Sequence, residues 1–263
     1  MEHRTADPTS SWGDVPRRIR AGDVLPDPWE KLFGPLRASS ATGAMAVGQI
    51  GQSLDGRIAT LSGHSHYING SAGLDHLHRL RAVVDAVVVG AGTVRADDPQ
   101  LTVRRVAGPN PVRVVLDPRA TLSGSARIFA ADGVRRIVVT REATRSLLAR
   151  DIETIALSGS TTLLDPAAIL EALSARGLRR VLVEGGARTV SHFLAAGCLD
   201  RLHVVVAPVI LGSGIPSLAL PPIARVTDAL RVPVDAHLLG DEVLFDCDLS
   251  TRRASAGDAN KSI

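Results

Sequence analysis

Lysine is almost missing from this sequence: Lys31 and Lys261 are the only two, so arginine carries nearly all of the 30 basic charges that stand against 27 acidic ones. Arginine's planar fork suits bidentate contact with phosphate or carboxylate, although a uniform arginine bias also follows from genomic composition alone. Aromatic residues are scarce as well, at 3%, and the arginines are dispersed. The stacking rings and the basic stripe of a nucleic-acid binder are therefore both lacking. Cysteine is limited to Cys198 and Cys247. Two isolated thiols exclude a disulfide framework and a thiolate-built structural zinc site, and they fit a reducing compartment. No run approaches the roughly 20 uninterrupted apolar residues of a membrane span. The opening Met1-Glu2-His3-Arg4-Thr5-Ala6-Asp7-Pro8 offers no apolar core for a secretory signal. The expected address is the cytoplasm, with neither membrane nor nucleic acid as a partner.

What is present is a balance of 45% apolar and 22% charged residues over 263 positions. That is the balance of a folded chain with a sizeable core, long enough for one large or two small domains at about 100–200 residues each. Residues 1–41 stand apart, with Pro8, Pro16, Pro26, Pro28 and Pro35 and one short amphipathic stretch, Trp29-Glu30-Lys31-Leu32-Phe33. They read as an N-terminal extension that docks through Trp29 and Phe33 without being a domain. Residues 42–250 read as the main domain, and 251–263, small and polar, as a flexible tail.

Within the main domain, apolar strand-like runs alternate with helical patterns. Strands are expected over 44–50, 85–89, 112–116, 136–139 and 180–183, and helices over 74–84, 166–175 and 188–196. The helix at 166 opens with Asp165 as N-cap and a proline in its first turn, and Gly177 marks its end. The last part is strand-rich, over 202–210, 236–239 and 243–247, with Leu239-Gly240-Asp241-Glu242 as a hairpin turn. This order predicts an α/β fold: a mixed, mostly parallel sheet with helices on both faces and an antiparallel C-terminal edge.

Two expected strand-to-helix junctions are glycine-rich, around Gly90-Ala91-Gly92-Thr93 and Glu184-Gly185-Gly186-Ala187. Glycines at such a junction let backbone N–H groups approach an anion beside a helix N-terminus. Neither junction is a P-loop, and Arg95 stands where a Rossmann fingerprint has its third glycine or alanine. Tight turns and a shared dinucleotide crevice both remain open readings.

Read together, longer segments carry more information. In chain order they are Ser53-Leu54-Asp55-Gly56-Arg57-Ile58-Ala59, Ser65-His66-Tyr67-Ile68, His78-Arg79-Leu80-Arg81-Ala82, Val89-Gly90-Ala91-Gly92-Thr93-Val94, Asp97-Asp98-Pro99-Gln100-Leu101-Thr102-Val103-Arg104, Val112-Arg113-Val114-Val115-Leu116-Asp117, Glu184-Gly185-Gly186 and Leu211-Gly212. In this order and spacing, over about residues 44 to 249, the chain resembles the reductase domain of bacterial riboflavin biosynthesis, a relative of dihydrofolate reductase. The resemblance implies a dihydrofolate reductase-like fold and a homodimer. It also implies NADPH-dependent reduction of the ribosyl group of 5-amino-6-(5-phosphoribosylamino)uracil to a ribityl chain. The zinc signature of the usual N-terminal deaminase domain is missing, and residues 1–41 are too short to hold that domain. The expectation is therefore a stand-alone reductase. Tyr67 stands where bacterial members usually carry tryptophan, keeping a flat ring with a polar handle.

The resemblance assigns site residues. Ser65, Arg81, Leu101, Arg104 and Glu184 match substrate positions, and two guanidinium forks suit a ribose 5-phosphate dianion. Asp97 matches a position at the cofactor–substrate boundary, where a carboxylate could bond a ribosyl hydroxyl or relay a proton; Asp97 and Glu184 are the catalytic candidates. Glu184, at the end of a buried strand, needs a polar partner, which a pyrimidine's amino groups or a buried arginine would supply. Gly51, Tyr67, Thr93, Asp97 and the run Gly186, Ala187, Arg188, Thr189, Val190, Ser191 and His192 match cofactor contacts, with the pyrophosphate at the helix start. Asp55 and Gly56 are expected to form a turn shaping the nicotinamide pocket, and Asp98 to serve a turn. Arg119 and Arg141, following two strands, are candidates for a 2′-phosphate, and no acidic ribose reader of the NAD type is evident. The dimer is expected to cover the apolar strand Val204–Ile210 near the sheet edge. His64, His66, His76 and His78 lack acidic or thiolate partners at ligand spacing, so no metal is expected. Two other functions remain open on these residues: a dihydrofolate reductase-like enzyme acting on a pterin or another pyrimidine, and a non-catalytic NADPH- or flavin-binding protein.

Overall fold

Runs such as Val87-Val88-Val89 and Val114-Val115 are β-branched on both faces, the composition of parallel strands buried between helices. The computed structural model describes residues 12–37, 43–65, 68–142, 151–158 and 163–253. Two short helices come first, α1 (Val15–Ala21) and α2 (Trp29–Phe33). Strands β1 (Met45–Ser53) and β2 (Arg57–Thr60) lead to α3 (Ser71–Val83), β3 (Ala86–Gly90) and α4 (Ala91–Asp97). Next come β4 (Val112–Leu116), β5 (Arg136–Arg141), β6 (Glu153–Leu157), α5 (Pro166–Ser174), β7 (Arg180–Val183) and α6 (Ala187–Ala195). The chain ends with β8 (Arg201–Ala207), β9 (Gly214–Pro216) and the hairpin of β10 (Val234–Leu239) and β11 (Glu242–Asp248).

Among the described residues nine strands form one sheet in the order β10-β11-β8-β1-β7-β3-β4-β5-β6, and β2 pairs with β9 in a separate ribbon. From β8 to β6 every pairing is parallel, while β11 joins β8 antiparallel and β10 joins β11 antiparallel. The mixed, mostly parallel sheet with an antiparallel C-terminal edge is therefore as the sequence predicts. Side chains alternate between two cores. On one face Val47, Val87, Val89 and Leu182 pack with Leu80 and Val83 of α3 and with Trp12, Trp29, Phe33 and Leu36 of the N-terminal segment. On the other, Ala46, Val88, Val114 and Val181 pack with Ile169 and Leu173 of α5 and Val190 and Phe193 of α6.

Several elements depart from the sequence reading. Helix α3 begins at Ser71 rather than at residue 74, because the buried Glu242 carboxylate accepts the N–H groups of Gly70 at 3.0 Å and Gly73 at 2.7 Å. That carboxylate caps the helix from the far end of the chain. At the glycine junction after β3 the chain turns straight into a helix, α4, with Gly90 as its N-cap, as a strand-to-helix junction requires. The strand expected over 202–210 stops at Ala207, just before Pro208. It is not near an open edge either, because the β10–β11 hairpin pairs onto it. Arg253, placed in the tail by composition, is held by the Cys198 carbonyl at 2.8 Å, the Asp200 carboxylate at 2.9 Å and the Ala44 carbonyl at 2.9 Å. Helix α1 was not anticipated amid the prolines; Pro16 sits in its first turn, where a missing N–H costs nothing.

Candidate active site

Because β1, β7 and β3 are parallel neighbours, their carboxyl ends open on one edge of the sheet, where α/β folds bind ligands. The two glycine turns lie side by side there, since Val88 of β3 registers with Val183 of β7. They interlock. The Gly186 N–H donates to Thr93 Oγ1 at 3.0 Å. A Cβ on Gly185, whose φ is +97°, would stand 2.8 Å from the same oxygen, and one on Gly90 would stand 2.6 Å from Thr189 Oγ1. Glycine is thus required by close approach of two loops and, at Gly185, by backbone conformation. Among the described residues, nothing takes the N–H groups of Ala187 and Arg188 in the first turn of α6. Two free amides at a helix start, walled by two threonines, fit the phosphates of a dinucleotide.

Beside this cradle, Asp55 ties the turn after β1 to the chain beyond β8. Its carboxylate accepts from Ser53 Oγ at 2.6 Å and from the N–H groups of Leu211 at 3.1 Å and Gly212 at 2.7 Å. These bonds, the Ser53 hydroxyl first, lower its pKa to about 2. The separated motifs Ser53-Leu54-Asp55-Gly56 and Leu211-Gly212 therefore form one structure. Gly51 faces Asn69: a Cβ there would stand 1.9 Å from Asn69 Oδ1.

The substrate-side residues lie on α3, β7 and the loop after α4. Arg81 and Glu184, 103 residues apart, form a buried bidentate pair with both N–O distances at 2.7 Å. Arg81 also donates to the Thr102 carbonyl at 3.1 Å. Arg104 is exposed next to them, its guanidinium 3.2 Å from Thr102 Oγ1. Partial burial, then the guanidinium groups of Arg81, Arg127 and Arg105, lower its pKa, with only Glu184 opposing. Arg105 is paired with Asp75 at 2.6 Å. The loop thus gathers positive charge in excess of its carboxylates, an arrangement that favours an anion.

The chain matches the RibD C-terminal domain over residues 47–244. It belongs to the RibD C-terminal domain family. It is 34% identical over 201 residues to the 2,5-diamino-6-ribosylamino-4(3H)-pyrimidinone 5′-phosphate reductase of Methanothermobacter thermautotrophicus, covering 73% of this chain and 92% of that one. It is 36% identical over 185 residues to the riboflavin biosynthesis protein RibD of Aquifex aeolicus, covering 69% of this chain and 51% of that one. Among solved structures, the deaminase/5-amino-6-(5-phosphoribosylamino)uracil reductase of Thermotoga maritima superposes with a TM-score of 0.71 at 30% identity, covering 83% of this chain and 61% of that one. The chain therefore spans about half of the Aquifex aeolicus protein, three fifths of the Thermotoga maritima one and nearly all of the Methanothermobacter thermautotrophicus reductase. The fold is the dihydrofolate reductase-like one.

The matched RibD C-terminal domain runs from β1 into β11, so it holds both glycine turns, the Arg81–Glu184 pair and Arg104. Not every expected residue meets there. Glu184 has found its partner in a buried arginine, Arg81, rather than standing free. Asp97 is exposed at the end of α4, and among the described residues its carboxylate makes no hydrogen bond. Asp98 adopts φ +39° and its carboxylate accepts the Arg127 N–H at 2.8 Å, a tie to a segment 29 residues further on. Leu101 is buried with φ +54°, and Ser65 is half-buried. The run from Gly186 divides as a helix must. Val190 is core, Ser191 Oγ accepts the Ala219 N–H at 2.8 Å, and His192 Nε2 lies 2.9 Å from the Leu164 carbonyl. The side chains of Val190, Ser191 and His192 are thus engaged within the fold, and the first turn of α6 is the part of the run whose amides are open. Tyr67 and His66 lie outside the described residues. Neither Asn69 nor Thr102 is singled out by the sequence as a neighbour of the site, and the sequence does not show that His78 accepts the Arg104 N–H. Among the described residues no group of three histidine, cysteine or acidic side chains could hold a metal, and no helix is long and apolar enough to cross a membrane.

Proposed function

We propose that this chain is the NADPH-dependent reductase of riboflavin biosynthesis, converting the ribosyl group of 5-amino-6-(5-phosphoribosylamino)uracil to ribityl. The observation that carries this reading is the unneutralised arginine loop around Arg104 beside the buried Arg81–Glu184 pair, on the sheet edge where the two glycine turns interlock. A bound nicotinamide cofactor would supply the hydride. The free amides of Ala187 and Arg188, with Thr93 and Thr189 beside them, would hold its phosphates. Arg104 would take the substrate phosphate, with Arg81 contributing charge from behind. Each Glu184 oxygen keeps a lone pair for a pyrimidine amino group. The free Asp97 carboxylate would hold a ribosyl hydroxyl or pass a proton to the opened sugar.

The preference for NADPH is supported by Asp117, at the end of β4. It is buried, and both of its oxygens accept from its own loop, from Thr121 Oγ1 at 3.2 Å and from the Leu122 N–H at 2.9 Å, which gives it a turn-holding role. Arg119, two residues on, is exposed. Purified protein given the phosphoribosyl pyrimidine should oxidise NADPH at lower cofactor concentration than NADH. Turnover of dihydrofolate instead would redirect the substrate to a pterin, and oxidation with neither would leave a binding protein.

The unit is taken as residues 42–253, since Arg253 is tied to Cys198, Asp200 and Ala44, with 1–41 as an extension, at a reducing cytoplasmic address. We also read it as a homodimer. Register places Val234, Ala236 and Leu238 of β10 on one face with Val243 and Phe245 of β11 and Val204 and Val206 of β8. Leu238 is 81% exposed, and Phe245 and Val234 are exposed as well. An apolar sheet face of this kind is covered in stable proteins. Light scattering at micromolar concentration should report twice the 27.6 kDa chain mass, and Leu238→Asp should return a monomer. A wild-type monomer rejects the dimer.

A further inference from the structure

Residues 101–110 carry Arg104 yet include no helix or strand, and their backbone is held by side chains. Arg81 donates to the Thr102 carbonyl at 3.1 Å. Asn110 Oδ1 accepts the Val103 N–H at 2.6 Å. His78 Nδ1 accepts the Arg104 N–H at 3.1 Å. The Trp12 indole N–H donates to the Ala107 carbonyl at 2.7 Å. Three of these four grips come from α3 and the N-terminal segment. Fixing a loop costs backbone entropy, which these bonds and the packing of Val103 and Val106 on the core offset.

The anchors are themselves fixed. His78 is 2% exposed. Trp12 meets Trp29 at 5.1 Å and Phe33 at 5.4 Å edge-on, and the Arg79 guanidinium lies 4.9 Å from the Trp29 ring centre. At Gly108, with φ +152°, a Cβ would stand 2.5 Å from Ala82 Cβ and 3.5 Å from Pro16, so the loop touches both α3 and α1. We propose that His78 is a positioning residue that sets Arg104, and that residues 12–37 brace the phosphate-recognition loop through Trp12. This rests on the substrate reading above. Burial, then the charges of Arg81, Arg104 and Arg105, hold the His78 pKa at about 4 against the opposing Asp75. Near neutral pH its Nδ1 therefore remains an acceptor.

Amide hydrogen exchange across 101–110, read beside KM, kcat and NADPH Kd, tests the proposal. His78→Leu should speed exchange of the Arg104 amide about tenfold and raise KM for the phosphoribosyl pyrimidine about three- to tenfold, the loss of one hydrogen bond. Its kcat and NADPH Kd should stay within about twofold. His78→Asn, whose Oδ1 stands where Nδ1 stood, should restore both values. His78→Gln, with its acceptor a bond further out, should not, and it replaces His78→Leu if that variant does not fold. Trp12→Phe, which removes the N–H, should loosen exchange at 106–108 with a smaller KM rise. Unchanged exchange, unchanged KM, or His78→Asn behaving like His78→Leu overturns the proposal. If exchange responds as expected but the wild type does not turn over the phosphoribosyl pyrimidine, the brace stands and the substrate reading falls.

Discussion

Glu184→Leu should cost about 3–5 kcal/mol of folding stability, because it leaves the Arg81 guanidinium buried without its counter-charge. Both side chains of the pair are under 10% exposed, so water cannot take the place of the missing partner. For a chain of this size that is roughly a 10 °C fall in Tm. Arg81→Leu should cost a similar amount for the mirror-image reason and should also release the Thr102 carbonyl. The double variant is the informative one. With neither charge buried, it should regain most of the stability lost by either single change, a coupling that denaturant melts of all four proteins would measure. It should nonetheless remain a poor reductase if Glu184 also meets the pyrimidine. Additive losses in the double variant would mean that the pair is not the strong unit its geometry indicates.

Arg104→Ala should behave in the opposite way, with little change in stability and a large change in catalysis. Its side chain is exposed, and its only hydrogen bond among the described residues is to Thr102 Oγ1. Losing a charge-assisted contact with a phosphate costs about 1.5–3 kcal/mol, so kcat/KM should fall about ten- to a hundredfold. A dephosphorylated substrate should show a much smaller loss, and NADPH affinity should hold. Arg104→Lys should recover part of the activity, because an ammonium keeps the charge and loses the fork. Equal loss on both substrates, measured by steady-state kinetics, would assign Arg104 to the cofactor or to the fold.

What the sequence determined by itself lies within a few residues along the chain. Strand β4 spans the predicted 112–116, and α5 starts where Asp165 and Pro166 signal it, with Asp165 accepting the Ala167 N–H at 3.1 Å. Gly177, at φ +79°, follows its last turn. Caps, prolines and runs of β-branched residues act through local sterics and local hydrogen bonds, so they can be read in order. The ordered motifs also mark out the same stretch of chain as the family match. Partners were decided only by the tertiary structure. Glu242 caps α3 across 169 residues, and Arg81 answers Glu184 across 103. Strand β8 lost its expected place near the edge because a hairpin from further along the chain pairs onto it. The proline-marked N-terminal segment belongs to one face of the core, because Trp12, Trp29 and Phe33 fill a surface that α3 leaves open. His78, whose spacing offered no metal set, has as its partner the Arg104 N–H, which the loop bearing Arg104 brings onto it. Residue type and local pattern name the groups that do chemistry. Which group faces which depends on packing between distant segments, and no local signal encodes that.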